Sequence, residues 1–110
     1  KVARTQAIEL ATQYATQTPF RVMQLALQSM EVIKAMALEG NPNSVSDAGV
    51  GAACALAAVK GACLNVLTNA KDLQDRRFAD EKTTAALQML QTAQEQEQII
   101  TNIVLARMNG

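Results

Sequence analysis

Seven positions in one stretch constrain this chain more than any others. On a helix turning about 100° per residue, Gly51, Cys54, Ala58, Gly61, Asn65, Asn69 and Asp72 fall within about 40° of one line. A strip of small side chains therefore leads directly into two amides and a carboxylate. Small side chains let a second helix approach closely. On the opposite side, Leu56, Val59, Cys63 and Leu67 form an ordinary apolar stripe. A helix with two faces to bury belongs in the middle of a bundle. Polar groups at the end of such a seam need partners, because an unsatisfied buried group costs roughly 1–3 kcal/mol. Two readings stand side by side. Asn65, Asn69 and Asp72 are structural, capping loops or bonding across a subunit contact, or they line a polar pocket that holds a heteroatom-rich ligand.

The rest of the chain also reads as helix, with no strand-like alternation and no repeat. A first helix is expected over about residues 2–16, carrying Val2, Ile8, Leu10 and Tyr14. Thr18 and Pro19 are expected to end it and start the next, since proline suits the first helical position, where its absent N–H has no partner to lose. The second helix runs to about Glu39, with Met23, Leu27, Met30 and Ile33 marking a buried stripe. Gly40, Asn41, Pro42 and Asn43 form the clearest loop, with Gly40 as a left-handed cap and Pro42 as a stop. Ser44 or Ser46 then caps the third helix, from about Asp47 to Leu73, with Asp47 favoured in its first turn by the helix dipole. The last helix covers about Arg76 to Met108. Its segment from Gln91 to Gln98, polar except for Ala93, faces solvent or packs on a partner through its amides. The expected fold is all-α: an antiparallel bundle of about four helices.

Composition removes several classes of function. Ten basic and ten acidic residues cancel, so no cationic field attracts nucleic acid or an anionic membrane. Tyr14, Phe20 and Phe78 are too few for base stacking. The chain has no histidine, which removes the commonest general base and the commonest metal ligand. Cys54 and Cys63 lie about 180° apart on a helix, so they cannot bridge each other and read as two small buried apolar residues. Reduced thiols point to the cytosol. The run Ala48–Leu67 is the one membrane suspect, but it carries Lys60 and Asn65 and is built mostly of small residues, so no membrane span is expected. Lys60 sits oddly among larger apolar residues and is expected to snorkel or to pair with a carboxylate. No phosphate-binding glycine loop, nucleophile elbow or zinc motif is present. Any chemistry must use carboxylates, amides, Lys60 and backbone dipoles.

A proline-started helix, Gly40–Asn41, Ser46–Asp47, Gly61–Ala62, Asn65–Val66, Asn69, Asp72 and Asp75 occur in one order over nearly sixty residues. This combination resembles the cyclodeaminase domain of formiminotransferase-cyclodeaminase and its stand-alone relatives, including methenyltetrahydrofolate cyclohydrolases. The resemblance implies that residues 1–110 are the C-terminal part of one helical domain that dimerises, with folate bound near subunit contacts in the cytoplasm. The family's glycine-rich P-G-G-G-S segment and aspartate-bearing helix, where the proposed catalytic carboxylate lies, precede this region and are not in the chain. Lys1 is not an initiator methionine, so the chain reads as a fragment or processed product needing the N-terminal half of the domain as partner.

The implied chemistry is the closure of 5-formiminotetrahydrofolate to 5,10-methenyltetrahydrofolate with loss of ammonia, or hydrolysis of the methenyl bridge. Both need proton transfer at nitrogen and stabilisation of a tetrahedral carbon, which carboxylates and amide dipoles supply. The tetrahydrofolate is the substrate, and no metal or redox cofactor is implied. The resemblance implies Asp72 and Asp47 as catalytic candidates and Asn65 and Asn69 as substrate-binding. A non-catalytic helical module dimerising through the Gly51–Gly61 strip is the alternative.

Overall fold

The computed structural model describes all 110 residues. It holds three long helices, α1 (Val2–Glu39), α2 (Val45–Ala70) and α3 (Arg76–Asn109), with a short 3-10 turn at Pro42–Ser44. There is no sheet. Helix α2 is central, touching α1 and α3 more extensively than they touch each other. The chain runs up, down and up: Glu9 near the start of α1 meets the turn after α2, and Arg107 near the end of α3 meets Ala37.

A seven-residue register organises the packing. Val45, Ala52, Val59 and Val66 alternate with Ala48, Ala55 and Ala62 along the buried face of α2, and Asn69 falls at the next position of the second series. Thr16, Met23, Met30 and Ala37 of α1 and Ala79, Ala86, Ala93 and Ile100 of α3 are wholly buried at the same spacing. This is the periodicity of helices wound in a left-handed supercoil. The many alanines bring the backbones close. The core is thin, with 19 of 110 residues buried, and the molecule measures 65 × 18 × 15 Å.

The expected break at Thr18–Pro19 does not occur: α1 runs through Pro19, so the bundle has three helices, not four. A proline inside a helix removes one backbone hydrogen bond and costs about 3 kcal/mol. Here a side chain from α2 replaces the lost donor, as described below. Gly40 is extended, with φ −72° and ψ 172°, and not left-handed. Glycine is needed there for another reason, because an added Cβ would collide with the carbonyl oxygen of Met36. Helix α2 begins at Val45, and its capping residue Ser44 makes no side-chain bond to it. The Asn41 side chain instead accepts from the Asn43 N–H at 2.9 Å and holds the 3-10 turn.

The buried face of α2 lies roughly 50° around the helix from the centre of the expected Leu56–Leu67 stripe. Val59 and Cys63 are buried and Leu56 and Leu67 half-buried, as that stripe requires. The small-residue strip, however, faces outward: Cys54, Ala58, Gly61 and Asn65 are exposed, and a Cβ added at Gly61 would meet nothing within 4 Å. Cys54 is therefore not the buried apolar residue expected. Lys60 is also exposed and makes no ion pair. By length and composition, Pro42–Ala70 is apolar enough to cross a membrane, and only 28% of its most apolar window is buried.

Candidate functional site

Where α2 passes the proline of α1, the two helices enclose an open groove of about 440 Å³. Ala15, Thr18, Pro19 and Val22 form one wall, and Ala58, Ala62, Asn65 and Asn69 form the other. Small side chains create the space. The polar atoms come from two amides one helical turn apart and from the Thr18 hydroxyl, which donates back to the Tyr14 carbonyl at 3.4 Å. The sequence pattern thus brings Asn65 and Asn69 together, as expected. Asn69 Nδ2 donates to the backbone carbonyl of Ala15 at 3.1 Å, while Asn65 makes no hydrogen bond through its side chain.

The two carboxylates lie elsewhere. Asp72 is exposed in the turn after α2, where its N–H donates to the Asn69 carbonyl at 3.3 Å, and it does not line the groove. Asp47 is exposed in the first turn of α2, eighteen residues before Asn65 and so about 27 Å along the helix. No titratable side chain lines the groove. It can bind and orient a polar ligand and stabilise developing charge through amide dipoles. Its own walls supply no group for proton transfer. No three His, Cys, Asp or Glu side chains converge on a metal-binding arrangement.

Hydrogen bonds from distant residues fix this end of the bundle. Glu9 of α1 accepts from the backbone N–H groups of Gln74 and Asp75 at 2.9 and 3.1 Å. Those bonds, with smaller help from Gln13 and Arg76, hold its carboxyl below the usual range. Asp75 caps α3 by accepting from the Phe78 N–H at 3.1 Å. Arg76 donates to the carbonyls of Ala70, Lys71 and Leu73 and so closes the C-terminus of α2. Asp75 and Arg76 thus cap the two helix ends that meet at this junction. The signal for their capping roles was the acid immediately before a helix start.

A second groove of about 380 Å³ lies between α1 and α3. Arg21, Gln24, Gln28 and Glu31 face Thr92 and Gln96 there, and the buried Oε1 of Gln96 has no partner. The polar stretch Gln91–Gln98 thus contributes a wall, with Gln96 half-buried.

The sequence profile described as formiminotransferase-cyclodeaminase matches residues 1–101. The chain is also similar to a methenyltetrahydrofolate cyclohydrolase from Methylorubrum extorquens, with 34% identity over 109 residues. That match covers 99% of this chain and 52% of the relative, so the chain spans about half the length of the relative it matches.

Proposed function

The chain belongs to the formiminotransferase-cyclodeaminase family, and from that premise we propose that it is the C-terminal half of a cytoplasmic folate domain acting on a one-carbon tetrahydrofolate. The reaction is ring closure of 5-formiminotetrahydrofolate with release of ammonia, or hydrolysis of 5,10-methenyltetrahydrofolate. The observation that carries this reading is the position of the Asn65–Asn69 groove. It lies between α1 and α2 at the edge of the exposed small-residue strip, where Ala58 and Asn65 are open to solvent. A second helical element laid on that strip would close the groove and bring the proton-transfer group its walls lack.

The surface area supports a partner. A compact protein of 11.8 kDa exposes about 5,900 Å², whereas this chain exposes 6878 Å². The partner in this reading is the N-terminal half of the domain, followed by dimerisation of the whole. Asp72, one turn beyond Asn69, is the carboxylate closest in sequence to the groove and is assigned proton transfer or pterin orientation. Asp47 enters a folate site only across a subunit contact, given its distance along α2. The exposed strip equally suits a non-catalytic dimerising module, and turnover separates the two. In the full-length protein, each folate substrate should be supplied in turn. Asp72→Asn should lower turnover by about a hundredfold or more without unfolding the protein. Unchanged turnover removes Asp72 from the mechanism, and no turnover of either substrate by the parent protein favours the module.

A further inference from the structure

The hydrogen bond between Asn69 and Ala15 has a cause in the sequence and a consequence for what the groove can bind. In a continuous helix the Ala15 carbonyl would accept from the N–H of residue 19. Residue 19 is proline and has none. Asn69 stands at a core position of the α2 register, facing α1, and its Nδ2 reaches that carbonyl at 3.1 Å. A carboxamide has one donating end and one accepting end, and only the donating end can meet a carbonyl oxygen. Rotating the amide by half a turn would set two oxygens against each other. The freed carbonyl at Pro19 therefore fixes which way the Asn69 amide points. Its Oδ1 accepts no hydrogen bond within the chain, and the residue lines the groove.

We infer that Asn69 is a positioning and specificity-determining residue, its amide oriented by the vacant hydrogen bond at Pro19 so that Oδ1 is offered to a ligand in the groove as a fixed acceptor. Asn65, one turn earlier and free of side-chain hydrogen bonds, offers either end of its amide. The pair selects a ligand with an N–H or O–H donor facing Asn69, such as the edge of an amino-substituted heterocycle. It disfavours a carbonyl or an unprotonated ring nitrogen directly opposite Oδ1. Identifying this ligand as the pterin of a tetrahydrofolate rests on the function proposed above. The locked amide does not.

The test is a cycle of Pro19→Ala with Asn69→Asp and Asn69→Ala in the full-length protein. Pro19→Ala restores the backbone N–H, so the Ala15 carbonyl no longer needs Asn69. Asn69→Asp should lower the thermal midpoint by a few degrees beside Pro19 and much less beside Ala. Equal shifts in the two backgrounds would overturn the lock. Nitrogen-15 NMR gives a second reading. Of the two Asn69 side-chain amide protons, the one bonded to the Ala15 carbonyl should exchange slowly in the parent and faster in Pro19→Ala, and fast exchange in both would also overturn the lock. For the acceptor, tetrahydrofolate binding is measured by titration. P19A/N69D should bind within about twofold of P19A, while P19A/N69A should bind about fivefold more weakly. Equal affinity of the two double variants would overturn the acceptor role. A parent protein that binds no tetrahydrofolate, with the thermal and NMR coupling intact, would defeat the folate assignment and leave the locked amide established.

Discussion

The two sides of α2 are built from the same kinds of residue, and only one of them is covered. On one side Ala48, Ala52, Ala55, Val59, Ala62 and Val66 are packed between α1 and α3. On the other, Val50, Cys54, Ala58, Gly61 and Leu64 lie open. A helix that is apolar all round is normally buried all round. Both neighbours instead meet α2 on one face, and each buries about one residue per heptad against it. The difference shows that apolar character does not decide which face of a helix is filled first. Register does: the seven-residue alternation of valine and alanine is complete only on the covered side, whereas the open strip mixes glycine, cysteine and leucine.

Substitutions at adjacent positions break this comparison most sharply. Val59 is wholly buried and Ala58 is exposed. Val59→Asp places an unpaired charge in the core and should cost more than about 4 kcal/mol, enough to abolish the cooperative urea transition followed by circular dichroism. Ala58→Asp should leave the far-ultraviolet spectrum and that transition in place. If the strip is an interface, it should still reduce association measured by light scattering, together with folate turnover. Comparable unfolding by both variants would mean that the two faces are equally buried.

Thiol labelling reports the same contrast without a substitution. Cys54 is exposed, whereas Cys63 is buried and its thiol is pushed up by burial. The 110-residue chain should show one fast-reacting thiol under native conditions and a second only in denaturant. Protection of Cys54 in the full-length protein would place a partner on the strip. Gly61 tests the space above it. Gly61→Leu should stabilise the chain by about 0.8 kcal/mol through helix propensity, because Gly61 is exposed and a Cβ added there meets nothing within 4 Å. The same change in the full-length protein should weaken assembly if another helix packs closely there.

How much of this was legible in the sequence depended on how far away the deciding residue lay. The all-helical class, the loop at residues 40–43 and the limits of α3 follow from local spacing and capping, and they are seen. The clustering of Asn65 and Asn69 follows from helical geometry alone. Pro19 read as a helix boundary because the donor that lets the helix continue, Asn69, comes from fifty positions further along the chain. For the same reason nothing near Glu9 in the sequence marks its role, its partners Gln74 and Asp75 lying sixty-five positions and more further along the chain. The outward turn of the small-residue strip was not legible, because angular position sorts residues into faces without saying which face a neighbour takes.

The smallest expected effect concerns the polar clamp that closes the covered face at the Asn69 end. The Glu9 carboxylate accepts two backbone N–H groups from the α2–α3 turn, and these bonds depress its pKa from the ordinary value of 4.5. A group whose pKa is lower folded than unfolded binds its proton more readily in the unfolded chain. Its contribution is therefore complete above the unfolded value and is lost as the pH falls through the folded one. The thermal midpoint of the parent should exceed that of Glu9→Gln at about pH 6, and the gap should narrow below about pH 4.5 as Glu9 is protonated. Helix α2 is tied to its neighbours by such bonds at the end where the groove lies. A gap that stays constant through the acid range would show that the clamp owes nothing to the ionised carboxylate. The covered face would then be held at that end by Asn69, Arg76 and packing alone.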